Sequence, residues 1–484
     1  MSKPSTVETA GAAAWPASVR WALAGLSLSV LLSSLGVSIA NVGLPTLAQA
    51  FGASFQQVQW VVLAYLLATT TLVVSVGRLG DLIGRRRLLL GGIALFTAAS
   101  ALCAAAPTLG LLIAARAAQG LGAAVMMALA LAFVGETVPQ ATTGRAMGLL
   151  GTMSAVGTAL GPSLGGVLIA GFGWPALFLA EVPLGLVALL LAQRCLPVDR
   201  RGVERAGFDY AGTLLLALTL AAYALAMTIG RGRFGPLNAA LLLAAAVGAG
   251  LFVRAEAKAA SPLVRLALFR DPRLGAGFAM SALVTTVVMA TLVVGPFYLA
   301  GALALDAARV GLVMSCGPLV SALAGVPAGR LVDRFGARRM GIAGLAGMLA
   351  GCALLPLLPT GFGVPGYVAP LVVVTAGYAL FQAANNTAVM TKVRAEQRGV
   401  VSGLLNLSRN LGLITGASLM GAVFALGAAT TELAGARPEA LAAGLRFTFA
   451  VAALLIIAAL AIASASRRRA AAPDRLQEDG CGVE

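Results

Sequence analysis

The sequence predicts an all-α polytopic membrane protein of fourteen transmembrane helices, built as two related halves with an insertion between them. Three observations predict it. The chain is 59% hydrophobic and only 11% charged, with a mean hydropathy of +0.93, whereas a soluble domain carries about 25% charged residues. Its apolar residues gather in runs long enough to cross the roughly 30 Å of bilayer hydrocarbon as helices and too long for barrel strands. Finally, the stretch Gly77-Arg-Leu-Gly-Asp-Leu-Ile-Gly-Arg-Arg-Arg87 returns as Gly329-Arg-Leu-Val-Asp-Arg-Phe-Gly-Ala-Arg-Arg339, with seven of eleven positions identical, which points to an internal repeat.

The apolar runs fall at residues 21–43, 57–77, 88–106, 110–134, 146–170, 176–196, 209–229, 238–255, 275–300, 306–330, 340–359, 366–390, 399–427 and 443–465. The first run exceeds the length of a signal-peptide core and many spans follow it, so it reads as an uncleaved first helix despite Ala48-Gln-Ala50. An even number of spans places both termini on one side. Lys and Arg cluster in alternate loops: Arg85 to Arg87; Arg145; Arg194, Arg200, Arg201 and Arg205; Arg254 through Arg273; Arg334, Arg338 and Arg339; Lys392, Arg394 and Arg398; and Arg467 to Arg469. The intervening loops hold little beyond Arg231, Arg233, Arg309 and Arg437. The positive-inside rule makes the rich set, and both termini, cytoplasmic. The net charge of +16 is then mostly a record of topology. It is not a nucleic-acid footprint, because a nucleic-acid reader gathers its basic residues on one soluble face.

A second register supports the repeat. Gly148-Leu-Leu-Gly151, Gly157, Gly161-Pro-Ser163 and Gly166 match Gly403-Leu-Leu-Asn406, Gly412, Gly416-Ala-Ser418 and Gly421 at an offset of 255, close to the 252 of the charged loops. Six spans with short connections need only about 190 residues at roughly 20 per span. The offset therefore leaves room for two extra helices. The expected organisation is an N-terminal tail (1–20), a six-helix bundle (21–196), an insert holding the seventh and eighth helices (197–274), a second six-helix bundle (275–465) and a C-terminal tail (466–484).

Other chemistries find little support. The five cysteines, Cys103, Cys195, Cys316, Cys352 and Cys481, are odd in number and widely spaced, and suggest neither a disulfide frame nor a metal site. With no histidine and no GxxxxGK[ST] phosphate loop, no cofactor, metal, catalytic site or ATP-driven step is expected.

Several ordered motifs now carry a resemblance. Gly77 to Arg87 lies between the second and third spans and is preceded by Gln59-Trp60 and Tyr65. Arg116-Ala-Ala-Gln119-Gly120-Leu-Gly122 lies in the fourth span. Gly157 and Gly161-Pro162-Ser-Leu-Gly165-Gly166 lie in the fifth. The chain resembles, over nearly its whole length, the major facilitator superfamily, in particular its fourteen-span drug/proton antiporters of the multidrug-efflux type. The resemblance implies a secondary transporter of the bacterial inner membrane that exports small organic compounds in exchange for protons, working by alternating access around a midplane site. Its expected partners are a small-molecule substrate, protons and the lipid bilayer, with a monomer favoured and the oligomeric state left open.

The motif residues have physical readings of their own. In the duplicated loops, Gly77 and Gly329 permit tight turns, and Asp81 and Asp333 can sit near helix N-termini that favour a carboxylate. Paired with Arg85, Arg86 and Arg338, they form a candidate latch for one conformation; the other reading is that the arginines serve topology alone. Arg116 lies inside a span, where a charge costs about 2.5–3.5 kcal/mol on insertion scales and is expected to face the bundle interior. Gln119 shares its helix face. The resemblance gives Arg116 a part in proton coupling. Gly157, Gly161, Gly165 and Gly166 form a smooth face for close helix approach, loosened by Pro162, and read as a hinge or sliding surface.

One stretch departs from the family. Its members carry an Asp in the first helix, in a Leu-Asp-x-Thr-Ile-Val-Asn-Val-Ala-Leu-Pro pattern, and this chain has Leu35-Gly36-Val-Ser38-Ile-Ala-Asn41-Val-Gly-Leu-Pro45. Among the eighteen acidic residues only Glu181 falls well inside an expected span; Glu136, Asp209 and Asp306 sit at edges. Glu181 stands in Trp174-Pro-Ala-Leu-Phe178-Leu-Ala-Glu181-Val-Pro183 where the family shows Asn. Seven residues past Trp174 at 1.5 Å each put it roughly 10 Å below the outer interface. Burial disfavours the charged form of a carboxyl group, so Glu181 is the candidate proton carrier. Two alternatives stay open: a hydrogen-bonded glutamate that merely packs, and a carrier no longer coupled to protons. For the substrate cavity the candidates are Asn41, Trp60, Tyr65, Gln119, Met126, Gln382, Asn385, Asn386 and Arg409, although polar residues of this kind also serve as interhelical glue. Few charges and several apolar walls suit amphipathic or cationic drugs, dyes or metabolites, an expectation at the level of the family.

Overall fold

The computed structural model describes residues 16–73, 75–138, 143–197, 209–229, 235–259, 272–358, 360–391, 398–430 and 436–471. In chain order the helices are α1 (Ala17–Ala50), α2 (Phe55–Val73), α3 (Arg85–Ala104), α4 (Leu109–Thr137), α5 (Thr143–Phe172), α6 (Pro175–Cys195), α7 (Tyr210–Thr228), α8 (Pro236–Lys258), α9 (Pro272–Phe297), α10 (Ala307–Phe335), α11 (Ala337–Leu357), α12 (Gly363–Met390), α13 (Arg398–Thr415) and α14 (Pro438–Ala471). A short helix, Val76–Ile83, follows α2; a π-helical turn, Tyr298–Ala302, ends α9; and α13 continues through a second π-helical turn, Gly416–Met420, into Gly421–Gly427. Thirteen of these segments have the length and apolarity of a membrane span. The exception, α2, is diluted by Gln56, Gln57 and Gln59 at its start, and it completes the fourteen. The protein is a multi-pass membrane protein.

Helix ends obey the sequence. Gly84 and Gly336, which close the duplicated loops, have φ of 102° and 85°, values that favour glycine. Asp209 and Asp306, acidic residues at span edges, are N-caps: their carboxylates accept from Gly212 N (2.7 Å) and Arg309 N (2.8 Å), and this satisfies otherwise orphaned helix donors. The eighth helix runs past the expected end at 255 to Lys258. Its Glu256 is therefore within the helix and 3% exposed, a second buried acid that the sequence reading placed outside a span. It lies against Gly212 in the first turn of α7, where the helix dipole favours a carboxylate.

The repeat is visible in the packing. In the first half, Gly157 and Gly161 of α5 meet Leu31, Ser38 and Ile39 of α1; in the second, Gly412 and Gly416 meet Ala282, Thr285, Thr286 and Met289 of α9. One step further along each helix the contact crosses between halves. Gly166 of α5 faces Ala307 and Gly311 of α10, and Gly421 beyond α13 faces Phe55 and Gln59 of α2. Thus α5–α10 and α13–α2 are equivalent seams. On the side opposite the arginine-rich loops both are shut: a Cβ built on Gly166 would lie 3.0 Å from Gly311 Cα, Gln59 Nε2 donates to Ala417 O at 2.8 Å, and Phe55 packs on Phe297 and Phe424 with ring centroids 4.7 and 5.9 Å apart.

The insert has two distinct helices. α7 runs along α2, joined at both ends by Ser75–Thr213 and by Trp60 Nε1 donating to Thr228, each 3.0 Å, while Tyr223 pairs with Thr415 of α13. It thus covers the α2–α13 seam. α8 packs on α7, with Asn238 Nδ2 donating to Ala226 O and Ile229 O (2.7 and 2.6 Å), and exposes Leu243, Leu251 and Val253 outward, as a lipid-facing helix does.

Replacing Gly311 by Val puts branched carbon where Gly166 and Pro162 O approach, and is expected to prise α5 from α10. In a background without the native cysteines, a cysteine at Gln56, 3% exposed on the shut side, should then react several-fold faster with a membrane-impermeant maleimide. An unchanged rate would show that this approach does not hold the side closed.

Candidate functional site

The most polar point of the first bundle is a fully buried network joining five helices. Arg116 of α4 is 0% exposed. Its Nε donates to Val61 O of α2 at 2.9 Å, one terminal nitrogen to Gly36 O of α1 at 2.9 Å, and the other to Gln119 Oε1 one turn on. The guanidinium lies 4.3 Å over the Tyr65 ring, a cation–π contact, and the Tyr65 hydroxyl donates to Ser33 O at 2.8 Å. Gln119 then turns its amide nitrogen to Glu181 Oε2 of α6 (2.6 Å) and to Ser100 Oγ of α3 (2.7 Å). Glu181 is 0% exposed and its Oε1 has no protein hydrogen-bond partner.

Local sequence explains the assembly. α4 approaches α2 and α3 through Gly120 and Gly122, whose missing side chains leave room for Tyr65 and Phe96. Gly36, where the family resemblance leads one to expect an acid, leaves room for the Tyr65 hydroxyl and the Phe96 ring, 3.2 and 3.4 Å from where its Cβ would lie. The acid is supplied instead from α6. Arg116 and Glu181 form no direct ion pair among the described residues; Gln119 stands between them. A charge relay of this kind satisfies two buried ionisable groups while leaving one carboxylate oxygen open, which suits a group that gains and loses a proton.

The other sequence candidates are dispersed. Asn41 is buried and donates to Val37 O on its own helix (2.9 Å). Trp60 is engaged by α7, as above. Met126 lies in the apolar interior of the first bundle at 0% exposure. Asn385 is buried and donates to Gly277 O of α9 (3.1 Å), Gln382 is half-buried and Asn386 exposed. Arg409 is half-buried, its Nε without a partner. In the loops, the side chains of Gly77 and Asp81 lie outside the described residues. Arg86 reaches Gln193 O of α6 at 2.5 Å, whereas Gly329 is half-buried and Asp333 and Arg338 are exposed, Asp333 without an ion pair among the described residues. Of the antiporter-motif residues, Gly157, Gly161 and Gly165 lock α5 to α1 within one half; only Pro162 and Gly166 face the other half. Ser100, missed by sequence reasoning, joins the network from a helix whose sequence carries no signal beyond a small polar residue.

Removing the Arg116 side chain would strand Gln119 and Glu181 in a dry interior. Arg116→Ala is expected to lower stability by about 3–5 kcal/mol, seen as a drop in unfolding temperature in detergent. Arg116→Lys should recover little, since one ammonium cannot replace a fork serving three acceptors on three helices. Wild-type stability in the Lys variant would contradict this account.

Residues 26–417 match the sequence model of the Major Facilitator Superfamily. The riboflavin transporter RibZ of Clostridioides difficile is 30% identical over 400 residues, covering 83% of this chain and 87% of that protein. The multidrug resistance protein Stp of Mycobacterium tuberculosis is 32% identical over 414 residues, covering 83% and 75%. Among solved structures, a bacterial homologue of the human lysosomal transporter Spinster, in an inward-facing and unoccupied conformation, superposes with a TM-score of 0.70 at 15% identity, covering 94% of this chain and 98% of that one. Sequence model, relatives and helix arrangement agree, and this chain belongs to the Major Facilitator Superfamily: it is a membrane transporter, not an enzyme.

Proposed function

We propose that this transporter exports small organic compounds, drugs, dyes or metabolites, across the cytoplasmic membrane in exchange for protons, with Glu181 as the proton-carrying group and Arg116 as its electrostatic partner. The moving bodies are the bundles at 21–196 and 275–465 of a monomer, and the arginine-rich loops and both termini are cytoplasmic. The observation that carries the reading is the buried Glu181–Gln119–Arg116 relay, formed although the first helix has Gly36 in the acid's usual place. Similarity to the multidrug resistance protein Stp supports drugs as the substrate class.

The relay gives coupling a physical route. A charged Glu181 holds the Gln119 amide, and Gln119 holds Arg116 against Gly36 O and Val61 O. A proton on Glu181 weakens the hold on Gln119, since a neutral acid is a poorer acceptor than a carboxylate. Arg116 then binds α1 and α2 differently, and α2 carries Gln59, the residue bonded to Ala417 across the seam. Protonation in one bundle thereby biases the seam between bundles. The duplicated loops act as a latch on the arginine-rich side.

Gly36 also favours a second reading, a facilitator without proton coupling. Proteoliposomes with an imposed pH gradient separate the two. Wild type should accumulate a dye against its gradient only when protons flow the other way, and Glu181→Gln should abolish that dependence while leaving downhill exchange. Accumulation that stays pH-dependent in Glu181→Gln would remove Glu181 from the mechanism; wild-type flux indifferent to the proton gradient would favour the facilitator. Asp81→Asn is expected to slow turnover about tenfold or more with normal membrane expression, and wild-type turnover in that variant would discard the latch.

A further inference from the structure

Arg409 is the charged residue deep in the membrane that the coupling relay does not use. It stands eleven residues into α13, about 16 Å from the helix start at 1.5 Å per residue, near the middle of a hydrocarbon layer of roughly 30 Å. It has no hydrogen-bond or ion-pair partner among the described residues, and its Nε is buried and unpaired. The buried acids are spoken for elsewhere: Glu181 by the relay in the first bundle, Glu256 at the end of α8 beside α7. Arg116 and Glu181 balance each other, so among the described residues Arg409 leaves the central layer with one uncompensated positive charge.

The repeat shows that packing does not require it. At the offset of 255 its counterpart is Ser154 of α5, which pairs with Ser34 of α1 at 2.7 Å. The glycines beyond each residue, Gly157 and Gly161 or Gly412 and Gly416, meet the neighbouring helix in the same register. One half therefore builds this interface with a paired serine, and the other spends an unpaired arginine at the same place. Its direction follows from its neighbours. Gly412 and Gly416 take α9 and Thr415 takes α7, while Asn406, one turn earlier on the arginine's side, is exposed. A half-exposed guanidinium at this depth faces water between the halves rather than hydrocarbon, on the arginine-rich side of the close approaches at Ala417 and Gly421.

We propose that Arg409 is a substrate anchor that takes the carboxylate or phosphate of an amphipathic organic anion, so that this transporter selects anionic rather than cationic compounds. The planar guanidinium fork matches those groups in two parallel hydrogen bonds, and Asn406 and Asn410 flank it with neutral donors. The proposal rests on the export reading above and narrows its substrate class.

Two dyes with the same tricyclic core test it: fluorescein, which carries a carboxylate, and rhodamine 6G, an esterified cation. Binding to purified protein in detergent is read by fluorescence polarisation. Wild type should bind fluorescein more tightly; Arg409→Gln should weaken fluorescein about tenfold or more, without weakening rhodamine 6G, and Arg409→Lys should fall between. Tighter binding of rhodamine 6G by wild type, absence of fluorescein binding, or equal fluorescein affinity in Arg409→Gln would each overturn the proposal. So would displacement of fluorescein by phosphatidylglycerol added to the micelles, which would assign the arginine to a lipid headgroup. Flux in proteoliposomes keeps the two readings apart. Uphill transport of rhodamine 6G together with fluorescein binding that Arg409→Gln leaves unchanged would leave export standing and remove the anchor, whereas Arg409-dependent fluorescein binding with no flux of either dye would do the reverse.

Discussion

The first bundle depends on satisfying one buried cation. Arg116 carries a full charge into a fully buried site, and the surrounding helices are arranged to answer it: backbone carbonyls from α1 and α2, an aromatic face from Tyr65, and a glutamine that links it to Glu181 on α6. Carbonyls already engaged in helices accept a second hydrogen bond through their remaining lone pair, so the arginine is held without unwinding either helix. The arrangement links α1, α2, α4 and α6 in one hydrogen-bonded chain that ends at a single carboxyl group. A bundle held only by apolar contacts would be as well packed and could not respond to a proton.

Close packing between halves depends on the absence of side chains. Gly166 against Gly311 brings helices from different halves within backbone distance, and Gly421 leaves room for the Gln59 and Phe55 side chains of the other half; small residues at such seams allow strong dispersion contact without a directional lock. The hydrogen bonds that do cross are few, as between Gln59 and Ala417. Many weak contacts along a smooth seam can be exchanged for another set at little net cost, which alternating access requires. The seventh helix follows the same logic: held to α2 at both ends and to α13 near its middle, it covers one seam, and the eighth screens it from lipid.

Much of this was legible in the chain. Hydropathy fixed the number of spans because the hydrocarbon admits only long apolar helices, and the duplicated Gly-Asp-Arg loops with the repeated glycine spacing fixed the two-half plan. Glu181 and Arg116 stood out because an ionisable residue inside a span is expensive. The glycine motif was legible as a contact surface but not as two surfaces, since spacing along one helix does not say which neighbour each turn will meet. Glu256 escaped notice for a simple reason: the helix outlasts its apolar run, and the buried acid sits in the added turn.

What the sequence determined by itself is the class, the span count, the duplication and the short roster of charges within the membrane, all properties of local composition and periodicity. Only the tertiary structure decided how those charges are answered. That Glu181 reaches Arg116 through Gln119, that Trp60 turns to α7, that Met126 is sealed in a core and that Arg409 has no partner among the described residues are matters of which helix faces meet. Side chains on helices 62 or more residues apart in sequence, such as Gln119 and Glu181, become neighbours only when the bundle closes, and no period in the chain encodes that meeting.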